Sequence, residues 1–503
     1  MRRLFGTYAL LGSLCLPLFA AACGDDDGAG GNSGGGGEGA GIPFGPAGGV
    51  SITEVAIYQG IKRTLSKDGA PQTSDIPLVA GRDAMIRVFY ATSGDYDGKE
   101  VTGRLTIGDG EPIEVTQLLI EPSSDGSISS TINFFIPGDR IGTQIDYSVE
   151  ILQANSTSDN GAARYPASSV ESVPVEGPAQ KFRVVIAPFQ YDYDGSGRLP
   201  DLSEPTIEKY RNRLKQLFPV SDVEITVRGA TPWDNRIGPE GGGWQEVLEE
   251  LFQYRSFDDA TDDTYYYALF NPEDSFFDYC GGGCLLGLTL LNQANQGCFV
   301  TSNDDNGCVE LRFAMGVGFD PVSYDTMAHE FGHAHGREHA PCGPGLDPQS
   351  IDGAYPHDGG RIGVWGLDPV TTQLYNPDAT TDVMGYCEFT WISDHNYKAM
   401  FERGSAINLP KWQDAPRDRA VLLSYDDAGN VRWSSETSIP RNVAGERVPA
   451  RVRQKDGTFR EATATKLAFD HLPGGFLLVP GVEAETPEVE VTLGGQAVRV
   501  HRR

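Results

Sequence analysis

Apolar and polar residues alternate in short runs along residues 50–178, and glycine, proline, aspartate or serine separates one run from the next. A period of two is typical of strands that bury one face, and β-branched and aromatic residues dominate these runs. The region is therefore predicted to form antiparallel sheets over a common core. The predicted strands are residues 50–59, 83–92, 101–108, 113–120, 127–136 and 145–152.

A different pattern begins near Lys181, where buried-type strands alternate with helical segments. Residues 205–218 begin with a proline and carry apolar side chains at helical spacing, and WQEVLEELFQY also has a helical pattern. This order of elements predicts a partly parallel α/β sheet within residues 179–406. Renewed strand patterns then predict a small C-terminal β domain at residues 407–503.

Length and charge narrow the class of protein. At 503 residues the chain is too long to fold around one ordinary hydrophobic core, so we expect a multidomain protein. The strand spacing in residues 50–178 favours an immunoglobulin-like β-sandwich; the Cys…Trp…Cys signature of antibody domains is absent, so only the architecture is predicted. The formal net charge is −30 and no basic run offsets it, which argues against nucleic acid as a partner.

The N-terminal segment has the layout of a secretory signal peptide at residues 1–22. Arg2 and Arg3 precede an apolar run that ends in small residues before Cys23. Those small residues resemble a bacterial lipobox, which predicts acylation of Cys23 and a lipid anchor in a membrane, with plain secretion as the alternative. The glycine-rich residues 23–49 predict a tether of about 28 Å. We expect a lipoprotein of the bacterial cell envelope, at the outer membrane or cell surface, or released outside the cell.

The segment HEFGHAHGREH holds four of the eight histidines of the chain. On a helix His329 and His333 lie on one face, one turn apart, so that both imidazoles can bind one zinc ion. Glu330 points away from that edge and is placed to act as a general base on water. Gly336 allows a sharp turn that brings His339 round as a third ligand, and three protein ligands leave one position open, as in catalytic zinc sites.

A second motif, TDVMGYC at residues 381–387, follows the histidines. HExxHxxGxxH followed by a methionine turn resembles the metzincin family of zinc endopeptidases. By that resemblance Met384 lies beneath the metal, and Tyr386 is an additional ligand and hydrogen-bond donor in the transition state. His335 faces away from the ligand edge on a helix, and we expect no metal contact from it.

Neighbouring sequence is similar to exported bacterial metzincins that include mucin-degrading enzymes with immunoglobulin-like domains. The similar stretches are HAPCG, IGVWG, DVMGYCEFTWISDHNY and PLVAGRDAMIRVFY. The resemblance implies a metzincin domain at residues 179–406 that cleaves extracellular proteins or glycoproteins, with residues 285–291 as an edge strand that pairs with substrate. In metzincins the residue after the third histidine often identifies the subfamily. Here that residue is Ala340, which matches none of the acidic subfamily signatures, so the substrate class stays open. The alternatives are a surface adhesion protein with an idle metzincin domain and a zinc aminopeptidase.

Six cysteines lie beyond the N-terminal segment, and their even number in an exported chain favours disulfides over a structural zinc site. Fifteen pairings are possible. The pairing we predict joins Cys280 to Cys284, Cys298 to Cys308 and Cys342 to Cys387.

Residues 191–201, YDYDGSGRLPD, have the beginning of a calcium-loop pattern. Asp192, Asp194 and Ser196 stand at the spacing of calcium ligands, but the glutamate expected at the twelfth position is missing. The sequence therefore offers two interpretations, a Ca²⁺ site and an ordinary acidic turn.

Overall fold

The computed structural model describes residues 43–502 except 178–179, 259, 262, 291–311, 349, 409–416, 441–442 and 444. The predicted signal peptide, Cys23 and most of the predicted tether lie outside these residues. Phe44–Pro46 already forms a strand, so the folded part begins before the predicted boundary at Val50. Within the described residues, no helix has the length and apolar character needed to cross a membrane.

The N-terminal region consists of two antiparallel sheets that share one core. Val55 and Ile86 of one sheet are fully buried with Leu105 and Val149 of the other. One sheet has the order β1-β9-β6-β7, with β10 and β11 also on β9; the other contains β3-β2-β5-β8, with β4 on β3. The strands are β1 Phe44–Pro46, β2 Val50–Tyr58, β3 Gly60–Lys67, β4 Ala70–Pro71, β5 Ala84–Thr92, β6 Val101–Ile107, β7 Ile113–Gln117, β8 Ile132–Ile136, β9 Gln144–Ala154, β10 Arg164–Tyr165 and β11 Glu171–Pro174.

The central region contains a mixed sheet of order β13-β12-β15-β17-β16, in which all neighbours are parallel except β16 and β17. Apolar residues of α1 and α4 pack on one face of this sheet, and those of α2 pack on the other. The strands are β12 Lys181–Tyr191, β13 Asp222–Val227, β14 Thr231–Trp233, β15 Thr264–Phe270, β16 Gly287–Thr289, β17 Phe313–Val317, β18 Gly366–Leu367, β19 Leu374–Tyr375, β20 Thr381–Asp382 and β21 Thr390–Trp391. The helices are α1 Glu204–Leu217, α2 Trp244–Phe257, α3 Phe276–Cys280, α4 Val322–Ala334 and α5 Asp394–Asn408.

The C-terminal region is one antiparallel sheet of order β23-β22-β26-β25-β24-β27-β28. Leu422, Phe476 and Leu478 of this sheet are buried in the core that also contains Leu248 and Leu251 of α2. The C-terminal sheet therefore packs directly on the central region. Its strands are β22 Arg417–Tyr425, β23 Val431–Pro440, β24 Glu446–Arg453, β25 Phe459–Ala468, β26 Gly475–Pro480, β27 Glu488–Leu493 and β28 Gln496–His501.

The N-terminal and central regions are also joined directly. Strand β18 extends an N-terminal sheet by pairing with β3. The indole Nε1 of Trp391 donates to the carbonyl of Gly60 (2.8 Å), and the buried guanidinium of Arg82 donates to the carbonyl of Val220 (2.9 Å). The described residues form a β-rich structure of several sheets with five α-helices. This is consistent with the predicted multidomain, β-rich fold class.

Candidate metal centre

Helix α4 and the turn after it bring three histidines together. His329 and His333 lie one turn apart on the helix, and Gly336 follows its end with φ +86°. That left-handed conformation is inexpensive only for glycine. The turn closes with a hydrogen bond from the Arg337 amide to the Gly332 carbonyl (2.9 Å), and the chain then returns His339 to the first two histidines.

The three Nε2 atoms converge on one point. Nε2 of His333 lies 3.1 Å from Nε2 of His329 and 3.1 Å from Nε2 of His339. Ligand atoms of these three residues and of His471 all lie within 4.8 Å of one another. Nitrogen atoms bound to one zinc ion at about 2.0–2.1 Å lie at similar separations. This group of side chains could hold a metal ion.

The other ring nitrogens fix the tautomers that a metal needs. Nδ1 of His329 donates to the Val383 carbonyl (2.8 Å), and Nδ1 of His333 donates to the Arg337 carbonyl (2.6 Å). Nδ1 of His339 donates to Ser350 Oγ (2.9 Å), whose own proton goes to the Asp347 carbonyl. Each Nε2 therefore presents a lone pair to the shared point.

Burial keeps these imidazoles neutral. It lowers the pKa of His329 to about 3 and that of His339 to about 2, with a further contribution from charge on neighbouring histidines. The pKa of His333 is lowered well below its usual value, also chiefly by burial. Neutral imidazole is the form that binds metals.

The predicted methionine turn lies directly against helix α4. A Cβ added to Gly332 would lie 2.2 Å from Sδ of Met384, so only glycine permits this close approach. The Met384 carbonyl accepts from the Ala340 amide (3.0 Å), next to His339. The turn thus supports two of the histidines, one through the Val383 carbonyl and one through Met384.

Tyr386 reaches the histidines from the same turn. Its hydroxyl lies 3.2 Å from Nε2 of His339, and the Cys342–Cys387 disulfide ties the next residue to the segment after His339. Burial raises the pKa of Tyr386 above its usual range, so the phenol keeps its proton and can donate it in a hydrogen bond.

The side chain of Glu330 points from helix α4 towards the edge strand β16. Its side chain is 2 % exposed, and a Cβ on Gly287 would lie 2.3 Å from Glu330 Oε1. Burial, followed by the charge of Asp470, raises the pKa of Glu330 well above its usual range. Glu330 lines a cavity of about 1140 Å³ together with His329, His339 and Tyr386. Of the predicted residues 285–291, Gly287–Thr289 form β16 at the edge of the described sheet, and pairing of this strand with a substrate stays a prediction.

The structure adds two residues that the sequence did not suggest, Asp470 and His471. Nε2 of His471 lies 3.3 Å from Glu330 Oε1, and its Nδ1 contacts the Tyr386 hydroxyl. Burial opposes a charge on this ring, but the carboxylates of Asp470 and Glu330 raise the pKa of His471 to about 9. The residues lie 131 positions or more after His339, and the fragment FDHLPGG contains no motif that would have identified them.

The fourth histidine of the motif, His335, is not part of the group. Its ring stacks on Tyr265 with centroids 4.6 Å apart, and its Nδ1 donates to the Phe331 carbonyl (2.7 Å). Burial lowers its pKa to about 3. It is a core residue, in agreement with the expectation of no metal contact.

Two of the three predicted disulfides are present. They join Cys280 to Cys284 and Cys342 to Cys387. Cys298 and Cys308 lie outside the described residues. Disulfides form in oxidising environments, and this is weak support for an exported protein.

The segment predicted as a Ca²⁺ site or an acidic turn forms a hydrogen-bonded turn. The Gly195 amide donates to the Asp192 carbonyl (2.9 Å), and the Ser196 amide donates to Asp194 Oδ1 (3.1 Å). Oδ2 of Asp194 accepts from the Arg198 guanidinium (2.5 Å). These contacts account for the Asp194 carboxylate without a cation, and Ca²⁺ binding there stays a prediction.

Comparisons of the chain with known proteins add no assignment. No protein-family model matches the sequence, and no curated protein is significantly similar to it. The geometry of the site is therefore the basis for a functional assignment.

Proposed function

We propose that this chain is an exported, zinc-dependent endopeptidase of the metzincin type that cleaves extracellular proteins or glycoproteins. The observation that carries the proposal is the convergence of three neutral histidine Nε2 atoms beside a buried glutamate, in a cleft bounded by an edge strand. His329, His333 and His339 would hold the zinc ion. The metzincin domain, the immunoglobulin-like sandwich and the lipid anchor at Cys23 belong to the same proposal.

A zinc ion in this position supplies Lewis acidity and lowers the pKa of water towards neutrality. Glu330 accepts the proton of the attacking water and delivers it to the leaving amine. Tyr386 donates a hydrogen bond to the carbonyl oxygen as negative charge develops on it. Backbone groups of strand β16 align the substrate in an extended conformation.

The proposal is tested by metal content and proteolysis together. We expect one zinc per chain, lost in His333→Ala, and cleavage of casein or an O-glycosylated mucin that is lost in Glu330→Gln while zinc is retained. Glu402 provides a matched control, because it is an exposed glutamate on helix α5 and Glu402→Gln should change neither property. A chain without stoichiometric zinc, or one whose cleavage is the same in Glu330→Gln, would contradict the proposal.

A second candidate function is a surface adhesion or binding protein with an idle metal site. The observation that favours it is the presence of Asp470 and His471 within the cleft. It predicts tight binding of a protein or glycan that survives Glu330→Gln, with no turnover by any variant of the chain.

A further inference from the structure

The turn between β25 and β26, residues 469–474, enters the cleft from the C-terminal sheet, and the proposed reaction gives it no role. The Phe469 amide donates to the Gly474 carbonyl (3.2 Å), which closes the turn. Phe469 is buried in the core shared with the central region. Leu472 packs so closely on Gly241 that a Cβ there would lie 2.5 Å from Cδ2 of the leucine. Packing on both sides therefore holds the turn in this position.

The turn occupies the edge of strand β16. The Asp470 amide donates to the Thr289 carbonyl (3.2 Å), and the Thr289 amide donates to Asp470 Oδ1 (3.0 Å). Leu290 forms an antiparallel bridge with Phe469. An extended substrate added to this edge would need the same amide and carbonyl groups. The turn and a substrate cannot use them at the same time.

His471 engages the two side chains that the proposed reaction needs free. One ring nitrogen lies 3.3 Å from Glu330 Oε1, and the other contacts the Tyr386 hydroxyl. A glutamate paired in this way cannot take a proton from water, and the phenol cannot reach a substrate carbonyl.

Asp470 lies beside the histidines. Its side chain is fully buried, and Oδ2 lies 3.8 Å from Nε2 of His333. Nε2 of His471 lies 3.2 Å from the same oxygen. A buried carboxylate is costly without cations close by, so a metal ion held by the neighbouring histidines would stabilise it. A fourth protein ligand fills the position that a catalytic zinc site keeps open.

We propose, on the basis of the proposed function, that the 469–474 turn holds the enzyme latent. Asp470 is the fourth ligand of the metal, His471 engages Glu330 and Tyr386, and the backbone of the turn covers the substrate edge of β16. Only the minority of chains in which the turn has left the cleft is then active, so the wild type keeps a low activity that depends on Glu330.

Cobalt(II) provides a test that does not depend on activity. In the full chain with Co²⁺ in place of zinc, azide should leave the visible absorption spectrum unchanged, because Asp470 fills the fourth position. In Asp470→Ala azide should change the spectrum, and in the isosteric Asp470→Asn it should do so as well. Asp456 is the matched control, since it lies in the exposed turn between β24 and β25 and Asp456→Asn should behave as the wild type.

Proteolysis provides the second readout. With zinc, Asp470→Ala/His471→Ala should cleave a quenched fluorescent peptide about tenfold faster than the wild type or more, because a larger fraction of the chains has an open cleft. A wild-type cobalt spectrum that responds to azide as strongly as that of Asp470→Ala would overturn the proposal. So would a loss of cleavage in the Asp470 and His471 variants with metal retained, which would make these residues catalytic.

The two proposals fail in different ways. If none of the variants binds stoichiometric metal, or Glu330→Gln does not abolish cleavage in any background, the proposed function is wrong. If zinc binding and Glu330-dependent cleavage are present but equal in the wild type and in Asp470→Ala, only latency is wrong.

Discussion

Gly287 offers the sharpest test of the role of Glu330, because one methyl group added there must displace the carboxylate. In Gly287→Ala the new Cβ would lie 2.3 Å from Oε1 and 2.6 Å from Cδ of Glu330. Ordinary contacts begin near 3.4 Å, so the carboxylate or the strand must move by about 1 Å. A misplacement of about 1 Å at a catalytic group costs about a hundredfold in rate, or about 2.7 kcal/mol. Because the added methyl group overpacks the core, the free energy of unfolding of the protein should also fall by about 1–3 kcal/mol.

The assay is kcat/KM for a fluorescent peptide, measured in the wild-type and Asp470→Ala backgrounds together with zinc content. Zinc should be retained, because the added methyl group meets Glu330 rather than a histidine. Gly282→Ala is the matched control five residues earlier, where a Cβ would meet nothing within 4 Å. A Gly287→Ala enzyme as fast as the wild type would refute the assignment of Glu330 as the base held against β16.

Three further predictions follow from single contacts. Replacing Cys342 and Cys387 by serine opens a link across 45 residues and should lower the unfolding free energy in urea by about 4 kcal/mol. Trp391→Phe removes the buried hydrogen bond to the Gly60 carbonyl and should lower the unfolding free energy by about 1–3 kcal/mol in the same measurement. A change within experimental error would mean that water satisfies the carbonyl in the variant. Tyr386→Phe should lower kcat about 10²–10³-fold with zinc retained, and an unchanged kcat would exclude the phenol from the reaction.

The helical part of the site could be predicted from the sequence because its geometry is local. Two histidines four residues apart on a helix must share a face, and Gly336 indicates the turn that follows the helix. The Cys280–Cys284 and Cys342–Cys387 pairs were also predicted correctly.

The contribution of the C-terminal sheet could not be predicted, because it depends on packing between distant segments. Asp470 and His471 are ordinary turn residues in sequence, and they reach the cleft only because the C-terminal sheet packs on helix α2. Strand β3 was missed for a related reason. Its charged residues obscure the alternation, and Arg63 is buried with hydrogen bonds to Glu176 and to the Ile76 carbonyl, both distant in sequence.

The added strand β18 on β3 bears on how such a chain can evolve. A domain that is exchanged as a module between proteins needs a boundary that few hydrogen bonds cross. Here a cut at residue 178 would leave β18 without its partner and the Trp391 indole without its acceptor, close in sequence to Met384 and Tyr386. We therefore expect the N-terminal sheets to be inherited together with the metal centre rather than shuffled independently of it. A recombinant fragment that begins at residue 179 would be a poor representative of the protein.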